Sequence, residues 1–230
     1  MKTIGLIGGM SWESSLEYYR IINKTVKEKL GEPYSCKSIL YSVDFGEFEK
    51  LQHEGEWELL TDEMIDIAVK LENAGADLIV ICTNTMHKMA KEVQKSIKVP
   101  LLHIADATAE EIKANNMSKV GLLGTRFTME EDFYKGRLKE KHGIDVLIPN
   151  EQEREIIHHV IYKELISGIL KEESRHKFQK IMKNLIRDGA EGIILGCTEI
   201  PLLIKEKDIN IPIFDTTTLH ARKAVEFILE

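Results

Sequence analysis

Cysteine is scarce in this chain, with three in 230 residues: Cys36, Cys82 and Cys197. An odd number at wide spacing forms neither a disulfide framework nor a zinc-ligand pattern. Long apolar runs are missing as well. None approaches the ~20 residues needed to cross a bilayer, so no membrane partner is expected. The opening Met1-Lys2-Thr3-Ile4-Gly5-Leu6-Ile7-Gly8-Gly9 is apolar only briefly, and it reads as a first strand rather than a signal peptide. Positive charge is in deficit, with 31 Lys and Arg against 38 Asp and Glu for a net charge of -7. A general nucleic-acid footprint is therefore not expected. The Gly5–Gly9 run also lacks the Gly-x-Gly-x-x-Gly spacing and distal acidic residue of a dinucleotide fingerprint. His158-His159 carry no spacing that specifies a metal. These absences together read as a reduced, cytoplasmic protein.

What is present supports a packed core. The chain is 43% hydrophobic and 30% charged, a composition that argues against disorder. Its length suits one large domain or two small ones. Strand-like runs alternate with amphipathic helical stretches, the pattern of α/β proteins with parallel sheets. Strands are expected at Thr3–Ile7, Ser38–Val43, Leu78–Cys82 and Val99–Leu102, with helices at Ser14–Lys29, Glu58–Asn73 and Thr85–Ser96. The order then restarts. Strands are expected at Lys119–Thr125, Asp145–Ile148, Gly192–Leu195 and Ile211–Phe214. Helices are expected at Glu131–His142, Glu153–Lys171, Ser174–Asp188 and Thr218–Leu229.

The restart is a repeat. Ala76–Thr85 resembles Ala190–Glu199 at an offset of 114 positions, Ile4 aligns with Val120 at 116, and Pro100 aligns with Pro212 at 112. Three landmarks that keep both order and spacing imply two similar α/β halves arising by duplication. The expected division is residues 1–105 with 216–230, and residues 106–215. Ligands of open α/β sheets bind outside the carboxyl ends of the strands. Here those ends are Gly8-Gly9-Met10-Ser11, Thr83-Asn84-Thr85, Gly124-Thr125 and Cys197-Thr198-Glu199. All are small or polar, which places the expected site in a cleft with two similar walls.

Cys197 lies in the turn after an apolar strand, where a helix N-terminus is expected to lower a thiol from its ordinary pKa of about 8.5. A buried structural cysteine is the alternative. Thr83 occupies the matching position in the first half. Thr83, Asn84, Thr85, Thr198 and Glu199 can hold a carboxylate at a helix start, or simply cap it. Strand alternation turns Cys82 away from Thr83, so core burial is expected for Cys82. His87, one helical turn after Thr83, can tune the site or serve as a surface or capping residue.

Cys82-Thr83-Asn84-Thr85-Met86-His87 and Gly196-Cys197-Thr198-Glu199 resemble the paired motifs of the aspartate/glutamate racemase superfamily, and Gly5–Ser14 resembles its aspartate racemase branch. The resemblance spans essentially the whole chain. It implies two Rossmann-like halves related by a pseudo-twofold, a homodimer, and neither pyridoxal phosphate nor a metal. It also implies an amino-acid substrate whose α-carbon is flanked by two bases. Cys197 matches the second catalytic cysteine of that pattern, whereas Thr83 stands where the first would be. Substrate-binding roles fall to Met10, Asn84, Thr85, Thr198 and Glu199. Lys163 resembles a cation that recognises a side-chain carboxylate, and Gln52 stands where relatives often carry an arginine. The implied activity is cofactor-independent racemisation of aspartate or glutamate that favours the L enantiomer. A broad-specificity racemase, another small-acid isomerase and a non-catalytic amino-acid-binding protein are the alternatives.

Overall fold

The computed structural model describes residues 1–230. They divide into two compact units, residues 1–104 with 220–230, and residues 105–219. The first unit runs β1 (Ile4–Gly8), α1 (Trp12–Leu30), β2 (Ser38–Ser42), α2 (Phe45–Glu54), α3 (Trp57–Asn73) and β3 (Leu78–Ile81). A 3₁₀ turn (Thr85–Met89), α4 (Ala90–Ser96) and β4 (Leu101–Leu102) follow. Its four strands are parallel, in the order β2-β1-β3-β4.

β1 and β3 are the central strands, and every residue of both is buried. Strands covered on both faces have no need of polar alternation, which is why these runs are continuously apolar. The two-residue period still sorts their side chains. Ile7, Ile79 and Ile81 face a cluster built on Met64, Ile67 and Leu71 of α3. Ile4, Leu6, Leu78, Val80 and Cys82 face Tyr18, Ile22 and Val26 of α1. Ala221, Ala224, Val225 and Ile228 complete that second cluster. Trp12, Leu16 and Tyr19 project from the solvent side of α1, and all three are exposed.

The second unit repeats the plan. It runs α5 (Ile104–Ala114), β5 (Lys119–Gly124), α6 (Arg126–Glu130), α7 (Asp132–His142), β6 (Asp145–Leu147), α8 (Glu151–Lys163) and α9 (Glu172–Arg187). Then come β7 (Ile193–Gly196), α10 (Ile200–Leu203), β8 (Ile213–Asp215) and α11 (Thr216–Leu229), which passes into the first unit at His220. Its strands are also parallel, in the matching order β6-β5-β7-β8. The architecture is thus α/β, two parallel four-stranded sheets each flanked by helices.

One expected helix breaks earlier than its periodicity suggested. The stretch read as Glu153–Lys171 leaves the helix after Lys163, and a short 3₁₀ turn follows at Leu165–Ser167. The cause is Glu164, whose carboxylate accepts hydrogen bonds from Ser174 Oγ at 2.6 Å and Lys171 Nζ at 3.1 Å. Gly168 then takes a left-handed φ of 71° to reverse the chain. Helices α2 and α5 were not expected from the sequence at all.

Candidate active site

In the first unit the loops after β1 and β3 lie side by side, because the two strands are parallel neighbours paired up to Ile7 and Ile81. The β1 loop is shaped by Gly9, at φ 92°, where a Cβ would sit 2.3 Å from the Val43 carbonyl oxygen. That space is taken by the chain itself, as Val43 N–H donates to Gly8 O at 3.0 Å. The glycine therefore lets two backbone segments meet. Gly9 N–H donates to Ser15 Oγ at 2.7 Å, and Ser11 caps α1 by accepting from Ser14 N–H. Met10 is buried in this loop.

The β3 loop is tied to α1, since Ser14 Oγ–H donates to Cys82 O at 2.6 Å. Cys82 is fully buried in the α1 cluster, and burial pushes its thiol far above the ordinary range. Thr83 is only half-buried, whereas Asn84 and Thr85 are buried. Gln52 is buried on α2, and its Nε2–H donates to Met86 Sδ at 3.3 Å. The structure thus brings Gln52 to the segment just after Thr83–Thr85. As a neutral amide it supplies donors and an acceptor there, but no charge.

In the second unit β5 and β7 are paired up to Gly124 and Gly196. Thr125 caps α6 by accepting from Thr128 N–H at 3.3 Å. Across the sheet edge, Cys197 is 8% exposed. Its Sγ–H donates to Glu199 Oε2 at 2.9 Å, and Thr198 Oγ1–H donates to the same oxygen at 2.7 Å. Glu199 is itself buried. The thiol is pushed well above its ordinary value, first by burial and then by the Glu199 carboxylate. Hydrogen bonds from the Glu199 and Ile200 N–H groups act in the opposite direction and lose.

The lowered thiol pKa expected from the sequence is therefore reversed. The helix after Cys197 has only four residues, and an anionic oxygen already occupies the place where a thiolate charge would form. Lys163 is exposed at the last position of α8. The 3₁₀ turn that follows packs on α10, which places that end of α8 near the Cys197–Glu199 loop.

Sequence reasoning did not assign a role to Ser14, whose hydroxyl anchors the Cys82 carbonyl. Its sequence signals were its place at the expected start of the first helix and in the Gly5–Ser14 run. The Cys197–Glu199 pair was present in the sequence only as a two-residue spacing.

Residues 7–224 match the Asp/Glu/Hydantoin racemase family. The chain belongs to this family. It is accordingly an isomerase of the racemase type. It is 29% identical over 202 residues to the broad specificity amino-acid racemase RacX of Bacillus subtilis, covering 85% of this chain and 80% of that one. Among solved structures, a proposed Asp/Glu racemase from Yersinia pestis is 52% identical, covers 100% of both chains and superposes with a TM-score of 0.94. An aspartate racemase homologue from Pyrococcus horikoshii is 40% identical over 100% of both chains, with a TM-score of 0.87.

Proposed function

We propose that this racemase inverts an acidic amino acid, aspartate or glutamate, by proton transfer at the α-carbon. The observation that carries the reading is the buried Cys197 thiol hydrogen-bonded to a buried carboxylate at the end of β7, at the position that Thr83 repeats at the end of β3. The thiol first passes its proton to Glu199. The resulting thiolate, held by the Glu199 and Ile200 N–H groups, removes the α-proton from one face of the substrate. The carbanion charge spreads onto the substrate α-carboxylate, for which Met10, Asn84, Thr85 and Thr198 are the assigned binding residues. The Thr83 hydroxyl serves the other face. It relays a proton from water to the carbanion, and Glu199 returns its proton to solvent.

A hydroxyl holds its proton far more tightly than a thiol, so the two directions run at unequal saturated rates, with KM differing in proportion because the equilibrium constant is one. The L enantiomer is assigned as the better substrate through the family resemblance. Lys163 is the group assigned to the side-chain carboxylate, with Gln52 as a neutral partner. Broad specificity is the second reading, favoured by the likeness to RacX. We also read the assembly as a homodimer, in keeping with the exposed Trp12, Leu16 and Tyr19 on one side of α1. Sedimentation velocity of the chain gives its mass directly, and a monomer at micromolar concentration removes that reading.

Deuterium incorporation at the α-carbon tests the reaction. Each pure enantiomer of aspartate, glutamate and a neutral amino acid is incubated in deuterated water with the parental enzyme, with Thr83→Cys and with Lys163→Ala. The parental enzyme is expected to exchange one enantiomer of an acidic substrate at least about tenfold faster than the other. Thr83→Cys installs a second ionisable group and gains most in the slow direction. Lys163→Ala loses rate on acidic substrates and keeps it on the neutral one. Equal parental rates from both enantiomers at saturating substrate, or no gain in Thr83→Cys, would rule out the asymmetric mechanism. Equal losses on acidic and neutral substrates would remove Lys163 from recognition.

A further inference from the structure

Three histidines of the first unit cluster around the loop after β3. His87, His103 and His220 are buried, and their rings lie in contact. The His87 centroid is 4.8 Å from that of His103 and 5.4 Å from that of His220. Groups that titrate near neutrality are costly to bury unless their hydrogen bonds fix one form. Here the partners do so.

His87 Nδ1 lies 2.8 Å from the Thr83 carbonyl oxygen, which can only accept. Nδ1 must therefore carry the proton. His87 Nε2 lies 3.2 Å from the Ile104 backbone nitrogen, which can only donate. Nε2 must therefore be bare. A second proton on the ring would set one N–H against another. The same bookkeeping applies to His220. Its Nε2 faces the Leu102 carbonyl oxygen at 3.0 Å and so donates, and its Nδ1 lies 2.8 Å from the Tyr18 hydroxyl, which can donate to it. His87 is thereby neutral with its proton on Nδ1, and His220 carries a proton on Nε2.

The consequence is a set of polar struts. His87 ties the Thr83 carbonyl to the backbone at Ile104. His220 ties Leu102, two residues earlier, to Tyr18 on α1. Through His87 the β3 loop is thereby braced against the segment that follows β4. Ser14 also braces it, through the Cys82 carbonyl.

We infer that His87 is a positioning residue for Thr83: its neutral ring, protonated at Nδ1, holds the Thr83 carbonyl and so sets where the Thr83 hydroxyl lies. The inference rests on the reading above, in which Thr83 serves one face of the α-carbon. Proton transfer depends steeply on placement, and a misplacement near 1 Å can cost about a hundredfold in rate. A histidine at this position that served only to fill space would have no need of a particular tautomer.

Two near-isosteric substitutions separate the two ends of the strut. In His87→Asn the side-chain amide nitrogen takes the place of Nδ1 and can still donate to Thr83 O. In His87→Gln the amide oxygen takes the place of Nε2 and can still accept from Ile104 N–H, but the tie to Thr83 is gone. His87→Asn is expected to keep kcat within about threefold of the parental value. His87→Gln is expected to lose about tenfold or more in kcat with little change in KM. With KM little changed the loss falls on both directions alike, as an equilibrium constant of one requires. Nitrogen-15 spectra of histidine-labelled protein supply an independent readout, in which His87 shows the neutral Nδ1–H tautomer throughout pH 5 to 8, across the ordinary pKa of about 6.5. Parental kcat in His87→Gln, equal losses in both variants, or a His87 ring that titrates near its ordinary value each overturns the inference. Thr83→Val is the control. If it runs at the parental rate from both enantiomers, the role given to Thr83 falls and this inference with it. If it is impaired while His87→Gln is not, this inference alone falls.

Discussion

Cys197→Ala is expected to reduce racemisation by about a thousandfold or more from either enantiomer, because on the proposed mechanism it deletes the group that takes the α-proton in one direction and delivers it in the other. The fold should survive. The residue is small and buried, and alanine removes a single sulfur from a site 8% exposed. Chiral chromatography of product formed from each pure enantiomer reads the loss, and thermal melting monitors the fold. Cys82→Ala is the matched control. Its sulfur packs in the α1 cluster, so the cost should appear in stability, on the order of 1 kcal/mol, with turnover within about twofold. Near-parental turnover in Cys197→Ala would show that the base lies elsewhere.

Glu199→Gln is expected to move two observables in opposite directions. The carboxylate accepts the Cys197 S–H hydrogen bond and, by its charge, opposes a second negative charge on the sulfur. Glutamine keeps the shape and an accepting oxygen for Thr198, but it neither repels a thiolate nor receives a proton. The thiol pKa should therefore fall. Alkylation by iodoacetamide near pH 7.5 should become faster, by about tenfold, and its pH profile should shift to lower pH. Turnover should drop about a hundredfold, since the proton no longer has a carboxylate to move to. A purely structural role for Glu199 would slow both or change neither. Faster turnover accompanying faster alkylation would mean that the parental enzyme is limited by thiol ionisation alone, with no need for a proton acceptor.

The central strands were legible because a sheet covered on both faces demands unbroken apolar runs, and Leu78–Ile81 and Ile193–Leu195 are such runs. The inward turn of Cys82 followed from alternation along β3. Helix α2 left little trace because only Phe48 and Gln52 of its ten residues are buried, and one of those is polar. Helix α5 is rich in alanine, which buries a helix face without a pattern of large apolar residues. The early stop of α8 depends on a carboxylate captured from positions seven and ten residues ahead, a contact that helical periodicity does not carry.

The matched places of Thr83 and Cys197, at the ends of β3 and β7, could be read from the repeat. The direction of the thiol shift could not. It depends on which way the Glu199 carboxylate points two residues on, and a strand-to-helix turn permits either. His87 was legible only as a neighbour one helical turn away. Its tautomer is set by Ile104, seventeen residues later, which joins the loop only once β4 is laid beside β3.

The passage of α11 from one unit into the other bears on how the chain is made. Residues 105–219 are contiguous and leave the ribosome as a complete unit. The first unit, though begun earlier, lacks Ala221, Ala224, Val225 and Ile228 until all of those residues have been synthesised. One face of its sheet, with Ile4, Leu6 and Val80, stays partly uncovered through that interval. Multidomain chains generally fold their amino-terminal part first during synthesis. Here the order of completion is inverted, so the half that carries Thr83 and His87 can reach its final packing only once residues 220–230 are made, after the last residue of the half that carries Cys197.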